Sequence, residues 1–598
     1  MKILGIHDGH NASAAILING EIVAAVSEER FSRAKNDWTY PHKAIEYCLK
    51  KAGINPSELD KVAIASLNSS PILQRINRPA TYSVFDWLRE QNEHWKPVLL
   101  ENKPSDFYSR IQKEKKFQRQ TYYDLSSILQ ENIIIDNSSE KFREIRKSHV
   151  AKHLGINAEK ITFINHHACH AYYAYYASPI REEKVLILTA DGFGDEENAT
   201  IYLSSKDGLI QKFKTDQANL GRIYRYITLL MGMKVGEHEY KVMGLAPFAK
   251  DKYSQPVLDI FRKTLYIDGI EWRYHEKPKD HYFHFKEALE GYRFDNLAGG
   301  LQRYSEELLS HWIKNALKQF GCNKAVFSGG VAMNVKANKI MAETEGLDFF
   351  YVPPSGGDES LSIGATYYEA EQIIQNNQLS FNYIKPLKHA YLGPEFSDEE
   401  ISRCLADKNI FEKYKVAKNS SPEILAGFLV DNKIIARCVG RMEFGDRALG
   451  NRSILANPKD WNNVRQINDQ IKYRDFWMPF TPSMLAERAD DYIINPKKLS
   501  APFMTIAFDS TELSKRQLPA VIHPADYTTR PQMVEKEINP GYYDIIKAFE
   551  RKTGFGCILN TSFNLHGEPI VCSPEDAIHT FENSELDMMQ LGNFLIQR

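Results

Sequence analysis

The stretch from Met1 to Ser27 constrains the fold more tightly than any other. Lys2 to Ile6 reads as a strand, Asp8-Gly9-His10-Asn11 as a glycine-containing loop, and Ala12 to Ile18 as a second strand. Glu21 to Ser27 follows as a third, after Asn19-Gly20. Asn-Gly between apolar runs is the strongest short hairpin signal, because both central residues of the tight turn must accept positive φ. The pattern returns mid-chain: Val185 to Ala190 runs into Asp191-Gly192-Phe-Gly194, and Ala199 to Leu203 is the next strand. Two such units predict a duplicated domain that grips a ligand between its halves.

The intervening segments fit that plan. A helix is predicted from about Pro41 to Ala52, with Ile45, Cys48, Leu49 and Ala52 on one face and Gly53 as its stop, and then a strand from Lys61 to Ala65. From about Asn68 to Lys160 the composition shifts to Lys, Arg, Gln and aromatics, with no glycine until Gly155. This reads as an inserted helical subdomain whose basic residues form a solvated face. Farther on come a helix (Leu301 to Phe320), a strand (Lys324 to Phe327), the Gly329-Gly330 loop ending at Asn334, and a helix (Lys336 to Glu343). The fold class is α/β, duplicated in the manner of actin-like and sugar-kinase-like folds, with ligand loops at strand carboxyl ends. Gly329 and Gly330 would let the backbone approach a nucleotide closely; a plain tight turn is the simpler use of the same pair. A helix ending near Asn377 and an aperiodic stretch from Leu379 to Lys388 mark a boundary, giving domains 1–388 and 389–598.

The 598 residues are 43% apolar and 25% charged, an ordinary globular composition for more than one domain. A formal net charge of −2 and a pI near 6.8 argue against a nucleic-acid partner and for a small one. Seven scattered cysteines with no C-x-x-C pair read as reduced thiols. With no apolar run of signal-peptide or membrane-span length, a cytoplasmic protein is expected, with no membrane partner.

Chemistry concentrates at a few motifs. In Phe163-Ile-Asn-His166-His167-Ala-Cys-His170 the imidazoles of His166 and His170 lie four apart, on one face of a helix, where two can reach one metal. Such pairs also occur in half-buried helices that bind nothing. Hard ligands at strand ends, Asp191 and Asp358, strengthen the metal reading. Two imidazoles and two carboxylates suit a borderline divalent ion such as iron, zinc or manganese.

The C-terminal region carries single cations in Gly, Pro and Asn contexts: Gly440-Arg441 through Arg447 and Arg452, then Lys472-Tyr-Arg474, then Thr529-Arg530-Pro531. A partly buried guanidinium so placed can fork onto phosphate or carboxylate oxygens, or pair with Glu443 or Asp475. Leu559-Asn560-Thr561-Ser562-Phe563-Asn564 adds short polar side chains after an apolar strand.

Taken together these motifs resemble the O-carbamoyltransferases of the NodU, CmcH and TobZ type over nearly the whole chain. The match is carried by Gly9-His10-Asn11-Ala12-Ser13-Ala14, Glu28-Glu29-Arg30-Phe31, His166-His167-x-x-His170, Asp191-Gly192, Tyr240-Lys241-Val-Met-Gly244, Gly329-Gly330-Val-x-x-Asn334, Gly440-Arg441-Met-Glu-Phe-Gly, Arg447-Ala-Leu-Gly-Asn-Arg452-Ser, and Asn560-Thr-Ser-Phe-Asn564. The resemblance implies an N-terminal transfer domain similar to the threonylcarbamoyl transferase of tRNA, and a YrdC-like C-terminal domain that makes carbamoyl adenylate from carbamoyl phosphate and ATP with Mg. It further implies His166, His170, Asp191 and Asp358 as ligands of a metal, usually iron; His10 as the catalytic histidine; and Lys35 as a partner for the adenylate phosphate. Gly329, Gly330 and Asn334 would face a nucleotide. Arg447, Lys472, Arg474, Arg530, Asn560 and Ser562 would hold carbamoyl phosphate and ATP. The acceptor would be a hydroxyl of a sugar or natural product, and a homodimer is compatible with the sequence.

Three departures stand out. Asp446 replaces a proline and could pair Arg447; His238 stands where glycine is expected; and the insertion at about 68–160 is longer than in aminoglycoside-type members and would shape the acceptor site. The alternatives are a tRNA-modifying carbamoyl-type transferase and a sugar kinase or ATPase of the same fold. A metalloprotease is disfavoured because the H-E-x-x-H glutamate is absent.

Overall fold

The Asn19-Gly20 turn closes with φ of 49° and 85°, the two left-handed residues that an Asn-Gly hairpin requires. It joins β2 (Ser13–Ile18) to β3 (Glu21–Ser27), and β2 pairs on its other edge with β1 (Lys2–His7). The computed structural model describes the chain except positions 131–132, 135–137 and 379, and except the side chains of 129, 130, 133, 134, 138 and 381. Part of the expected insertion and Leu379 of the expected linker thus lie outside the described residues. The chain divides into two units, Met1–Leu387 and Lys388–Arg598.

The first unit contains the same sheet twice. With β4 (Lys61–Ala65) and β5 (Ile161–Ile164), the first sheet has the order β3-β2-β1-β4-β5. The second, from β6 (Leu186–Gly194), β7 (Glu197–Ser205), β8 (Gly208–Thr215), β9 (Lys324–Ser328) and β10 (Phe349–Tyr351), has the order β8-β7-β6-β9-β10. In each, the hairpin strands pair antiparallel and the last two strands join in parallel. This duplication is the actin-like and sugar-kinase-like arrangement. The hairpins come from sequence-local turns, whereas the parallel strands need helical crossovers.

One crossover, α1 (His42–Ala52), buries Ile45, Cys48 and Leu49 and stops at Gly53, whose φ of 65° accepts the left-handed cap. The insertion corrects the sequence reading. Residues 72–117 do form short helices, but their Ile76, Tyr82, Trp87 and Phe107 build an apolar core together with Leu229, Val235 and Tyr282. Helix α2 (Ser138–Leu154) does not belong to that subdomain: Phe142, Val150 and Leu154 pack into the first sheet's core beside Leu4, Ile16 and Ile45. In the basic aromatic stretch Phe117 and Tyr123 are buried while Lys113 and Lys115 stay exposed, so it is not a uniformly solvated face. Helix α3 (His166–Ala177) is buried along its whole length. Helix α7 of the two-sheet core (Leu361–Asn376) crosses it at Gly364, where any Cβ would run into the Cys169 carbonyl; α4 (Leu220–Leu230), α5 (Phe294–Phe320) and α6 (Val335–Ala342) lie between them in sequence.

The second unit is built on an eight-stranded mixed sheet. Its strands are β11 (Lys415–Lys418), β12 (Ile435–Cys438), β13 (Arg452–Ala456), β14 (Thr481–Leu485), β15 (Gln532–Val534), β16 (Cys557–Ser562), β17 (Met588–Leu591) and β18 (Phe594–Gln597), in the order β11-β18-β17-β12-β13-β16-β14-β15. Helices α8 (Pro422–Val430) and α9 (Pro540–Thr553) cover it, packing Leu425, Leu429, Ile545 and Phe549 against Leu455 and Ile558. Each such apolar side chain contributes about 1.5–3 kcal/mol by burial. All seven cysteines are reduced and buried. Among the described residues no helix is long and apolar enough to cross a membrane.

Candidate active site

Four side chains from three segments of the first unit converge. Asn165 caps α3 by accepting the Ala168 N–H at 2.9 Å, and this fixes the start of the helix so that His166 and His170 stand one turn apart on one face. Asp191 lies where the β6–β7 register slips between Ala190 and Gly194, a bulge that re-aims its side chain. Asp358 opens the turn that leads into α7. Nε2 of His166 and of His170 lie 3.1 and 3.2 Å from Asp191 Oδ2, and each lies 3.7 Å from Asp358 Oδ1. One ligand atom from each of the four fits within 4.8 Å of all the others.

The outer ring nitrogens are held from behind. Ser66 Oγ lies 3.1 Å from His166 Nδ1 and Ser328 Oγ lies 3.5 Å from His170 Nδ1, which leaves both Nε2 atoms facing the carboxylates. Asp195 accepts the backbone N–H groups of Leu67, Asn68 and His166, each at 2.7 Å, and pins the entry to α3. His167 points elsewhere: its Nδ1 meets Thr189 Oγ1 at 2.8 Å and burial holds its pKa well down. Burial, then the charge of Asp191, pushes the Asp358 carboxyl well up, while Asp191 is held well down in spite of burial by hydrogen bonding to the two histidines. Two carboxylates crowded in this way with two imidazoles fit a divalent cation, and the donor set is the borderline one.

The other expected residues are placed as follows. His10 Nδ1 lies 3.9 Å from Asp358 Oδ2, at the rim of the cluster, and its carbonyl is 2.8 Å from Nε2 of buried His7. Lys35 donates to Glu237 at 2.7 Å, and this pairing raises its pKa against the opposing effect of burial. Gly329, at φ 100°, packs on the Ala190 backbone, and a Cβ on Gly330 would lie 2.8 Å from Asp191 Oδ1; the pair is therefore required by close approach to the Asp191 strand. The Asn334 amide caps α6 through the Ala337 N–H at 3.0 Å and exchanges two hydrogen bonds with Gln302. These contacts account for Asn334 within the protein. His238 needs no glycine: it sits at φ −114°, accepts the Lys234 N–H at 3.2 Å, and has its pKa lowered to about 4 by burial and Lys241.

In the second unit Lys472 is buried and donates to Ser562 Oγ at 3.1 Å, to Asn564 Oδ1 at 2.7 Å and to the Asn564 carbonyl at 3.2 Å. Asn560, two residues earlier on β16, donates to the Ala448 carbonyl, Ser483 and Gln532. Burial, then Arg447 and Arg474, depresses the Arg530 pKa well below its ordinary value, so these three guanidiniums form one crowded cationic group. The Asp446 side chain is exposed. Glu443 accepts the backbone N–H groups of Leu449, Asn451 and Arg452, and Arg452 is buried against carbonyls of Val439, Gly440, Asn451, Pro394 and Cys572. Both residues shape the loop rather than bind in it.

Sequence reasoning missed His7, Asp195 and the Asp8–Arg146 ion pair. Asp195 had a signal, since it closes the Asp191-Gly192-Phe-Gly194 turn. Arg146 had none, being one charge among many on a helix.

The chain belongs to the carbamoyltransferase family: the family's N-terminal model matches residues 2–367 and its C-terminal model matches residues 426–598. It is an enzyme that transfers a carbamoyl group. It is similar to an uncharacterized protein of Methanocaldococcus jannaschii, 32% identical over 100% of this chain and 99% of that one. It is also similar to nodulation protein NolNO of Sinorhizobium fredii, 28% identical over 98% of this chain and 79% of that one. Nodulation protein NolO of Bradyrhizobium diazoefficiens is 30% identical over 73% of this chain and 79% of that one.

Proposed function

We propose that the protein is an ATP-dependent O-carbamoyltransferase in which a YrdC-like Lys388–Arg598 unit makes carbamoyl adenylate and the Met1–Leu387 unit transfers its carbamoyl group to an acceptor hydroxyl. The observation that carries this reading is the convergence of Arg447, Arg474 and Arg530, three partly buried guanidiniums close enough to repel one another, which could meet a polyanion through charge-assisted hydrogen bonds. Carbamoyl phosphate and Mg-bound ATP supply one. Water releases phosphate from carbamoyl phosphate, and the resulting carbamate oxygen attacks the α-phosphorus of ATP and expels pyrophosphate. Lys472, Ser562 and Asn560 line the same face of β16 and would orient those oxygens.

In the transfer step the acceptor oxygen bonds to the carbamoyl carbon, the bond from that carbon to the adenylate oxygen breaks, and AMP leaves. His10, at the rim of the four-ligand cluster, takes the hydroxyl proton. Asp191 holds the imidazoles of His166 and His170 in register, and Asp358 completes the set. A divalent metal there, iron before zinc or manganese, would supply Lewis-acid polarisation of a carbonyl or phosphoryl oxygen. Lys35, paired with Glu237, would meet the adenylate phosphate.

The test is product analysis with ATP and carbamoyl phosphate in the absence of acceptor. Pyrophosphate with AMP or carbamoyl adenylate, dependent on carbamoyl phosphate and lost in Lys472→Ala, supports the reading. ADP, formed whether or not carbamoyl phosphate is present, overturns it in favour of a kinase or ATPase.

A further inference from the structure

A cavity of about 440 Å³ opens between the insertion and α4 in the first unit. Its lining includes Phe193, two residues beyond Asp191, and Trp95 and Leu99 of the insertion. Phe193 and Leu99 are exposed, and with Tyr226 they give the cavity apolar surface. Two residues of α4 beside the cavity touch the backbone of the Asp191-Gly192 strand end. Arg222 donates to the Gly192 carbonyl at 3.2 Å, and a Cβ on Gly221 would lie 3.2 Å from the Asp191 carbonyl oxygen.

The charge in this cavity is unbalanced. Among the lining residues Arg78, Arg222, Arg225, Lys277 and Lys279 outnumber Asp216 and Asp280, with Glu90 and Glu239 acting on Arg225 from outside the lining. Arg78 is neutralised by a two-pronged pair with Glu90, at 2.6 and 2.9 Å. Arg222 is turned to a backbone carbonyl and lies over the Phe193 ring, and Lys277 meets the neutral Gln217 side chain at 2.9 Å. Asp280 is engaged as the cap of the helix His281–Ala288, and Asp216 receives the Gln217 amide. Arg225 remains. Its guanidinium lies 4.9 Å from the centre of the Trp87 ring and makes no hydrogen bond or ion pair among the described residues, although it is partly buried. A planar fork of N–H donors left unsatisfied in a half-closed, cationic, apolar-lined cavity matches one kind of ligand: a phosphate or carboxylate carried on a compact body.

We propose that this cavity is the acceptor site and that the acceptor is an anionic sugar, a glycosyl phosphate or a uronate, whose ring lies against Phe193 and Trp95 while its anionic group is met by Arg225. This rests on the transfer reading above and narrows its acceptor. A cationic acceptor such as an aminosugar is disfavoured here by the excess of positive charge.

The experiment is calorimetric titration of the full chain with glucose 1-phosphate, glucuronate, glucose and glucosamine, in the wild type, Arg225→Gln and Arg225→Lys. Thermal midpoints serve as the folding control, and Lys279→Gln on the exposed rim is a second variant that spares the core. At least one of the two anionic sugars should bind tenfold or more tightly than glucose, with glucosamine weakest; which of the two it is identifies the anion. Arg225→Gln should remove that preference, Arg225→Lys should retain part of it, and Lys279→Gln should weaken anionic binding about twofold to fivefold. Equal binding of glucose, tighter binding of glucosamine, no binding of either anionic sugar, or an unchanged preference in Arg225→Gln would overturn the proposal. Wild-type AMP formation from ATP and carbamoyl phosphate separates the two readings. AMP without anionic preference sinks the cavity assignment alone, and anionic preference without AMP sinks the adenylate mechanism alone.

Discussion

Asp8 and Arg146, 138 residues apart in sequence, form a two-pronged ion pair at 2.6 and 2.7 Å with side-chain exposures of 2% and 1%. The Tyr123 hydroxyl donates to the same carboxylate, and Arg146 also donates to the carbonyls of Ala65 and Ser66. The pair ties the first loop of the chain to α2. Removing one partner of a buried pair strands the other charge, so Arg146→Ala should lower unfolding stability by about 3–5 kcal/mol. Adding Asp8→Asn to that variant should recover part of the loss, as read by urea denaturation; a double variant no better than the single one would deny the coupling. Burial opposes ionisation of Asp8, but Arg146 outweighs it and lowers its pKa. The pair's contribution is thus present above the ordinary carboxylate value of 3.8 and lost as pH falls through the folded value.

Glu28 behaves in the opposite sense. It accepts the N–H groups of Ala44 and Lys43 at the start of α1, at 2.8 and 3.2 Å, yet burial pushes its pKa up to about 7. The folded protein therefore keeps a proton that the unfolded chain releases above pH 4.5, and stability falls as pH rises toward 7. At 1.36 kcal/mol per unit this amounts to about 3 kcal/mol. Glu28→Gln keeps an acceptor oxygen without the charge, so its stability relative to wild type should rise between pH 5 and pH 8. A difference that stays constant across that range would refute the assignment.

Metal content provides a direct check on the four-ligand cluster. Plasma mass spectrometry should find about one divalent metal per wild-type chain and less than a tenth of that in His166→Ala or Asp358→Asn. Ser66→Ala, which removes only the support behind His166, should weaken metal affinity by about tenfold to a hundredfold. An unaltered metal content in both ligand variants would place the metal elsewhere.

The two units should fail separately. Arg530→Ala and Lys472→Ala should reduce AMP formation by about a hundredfold or more while metal content holds, since buried charge-assisted contacts to phosphate are strong. Asp446→Ala should stay within about twofold of wild type, because that carboxylate is exposed. A large effect of Asp446→Ala would mean that the loop rearranges when it binds.

Local signals in the sequence were reliable where the physics is local. Asn19-Gly20, Gly53 and the spacing of His166 and His170 each act within one turn or one helix, and each appears where it was expected. Asp191 and Asp358 could be named as hard ligands because both follow apolar strands. Long-range partnerships were not legible. Lys35 could not be seen to meet Glu237 across 202 residues, nor could the Asn334 amide be seen to close on Gln302. The insertion misled for a related reason: its abundant lysines hide buried aromatics such as Phe117 and Tyr123, and only the assembled core shows that α2 belongs with the first sheet.

The seven buried thiols give this chain an internal clock for opening. Cys48, Cys169 and Cys322 lie in the first unit, and Cys404, Cys438, Cys557 and Cys572 in the second. A solvent-borne alkylating reagent can reach none of them until its surroundings part. The order in which the seven become labelled under mild denaturant would therefore time the loosening of each unit independently, without any introduced probe.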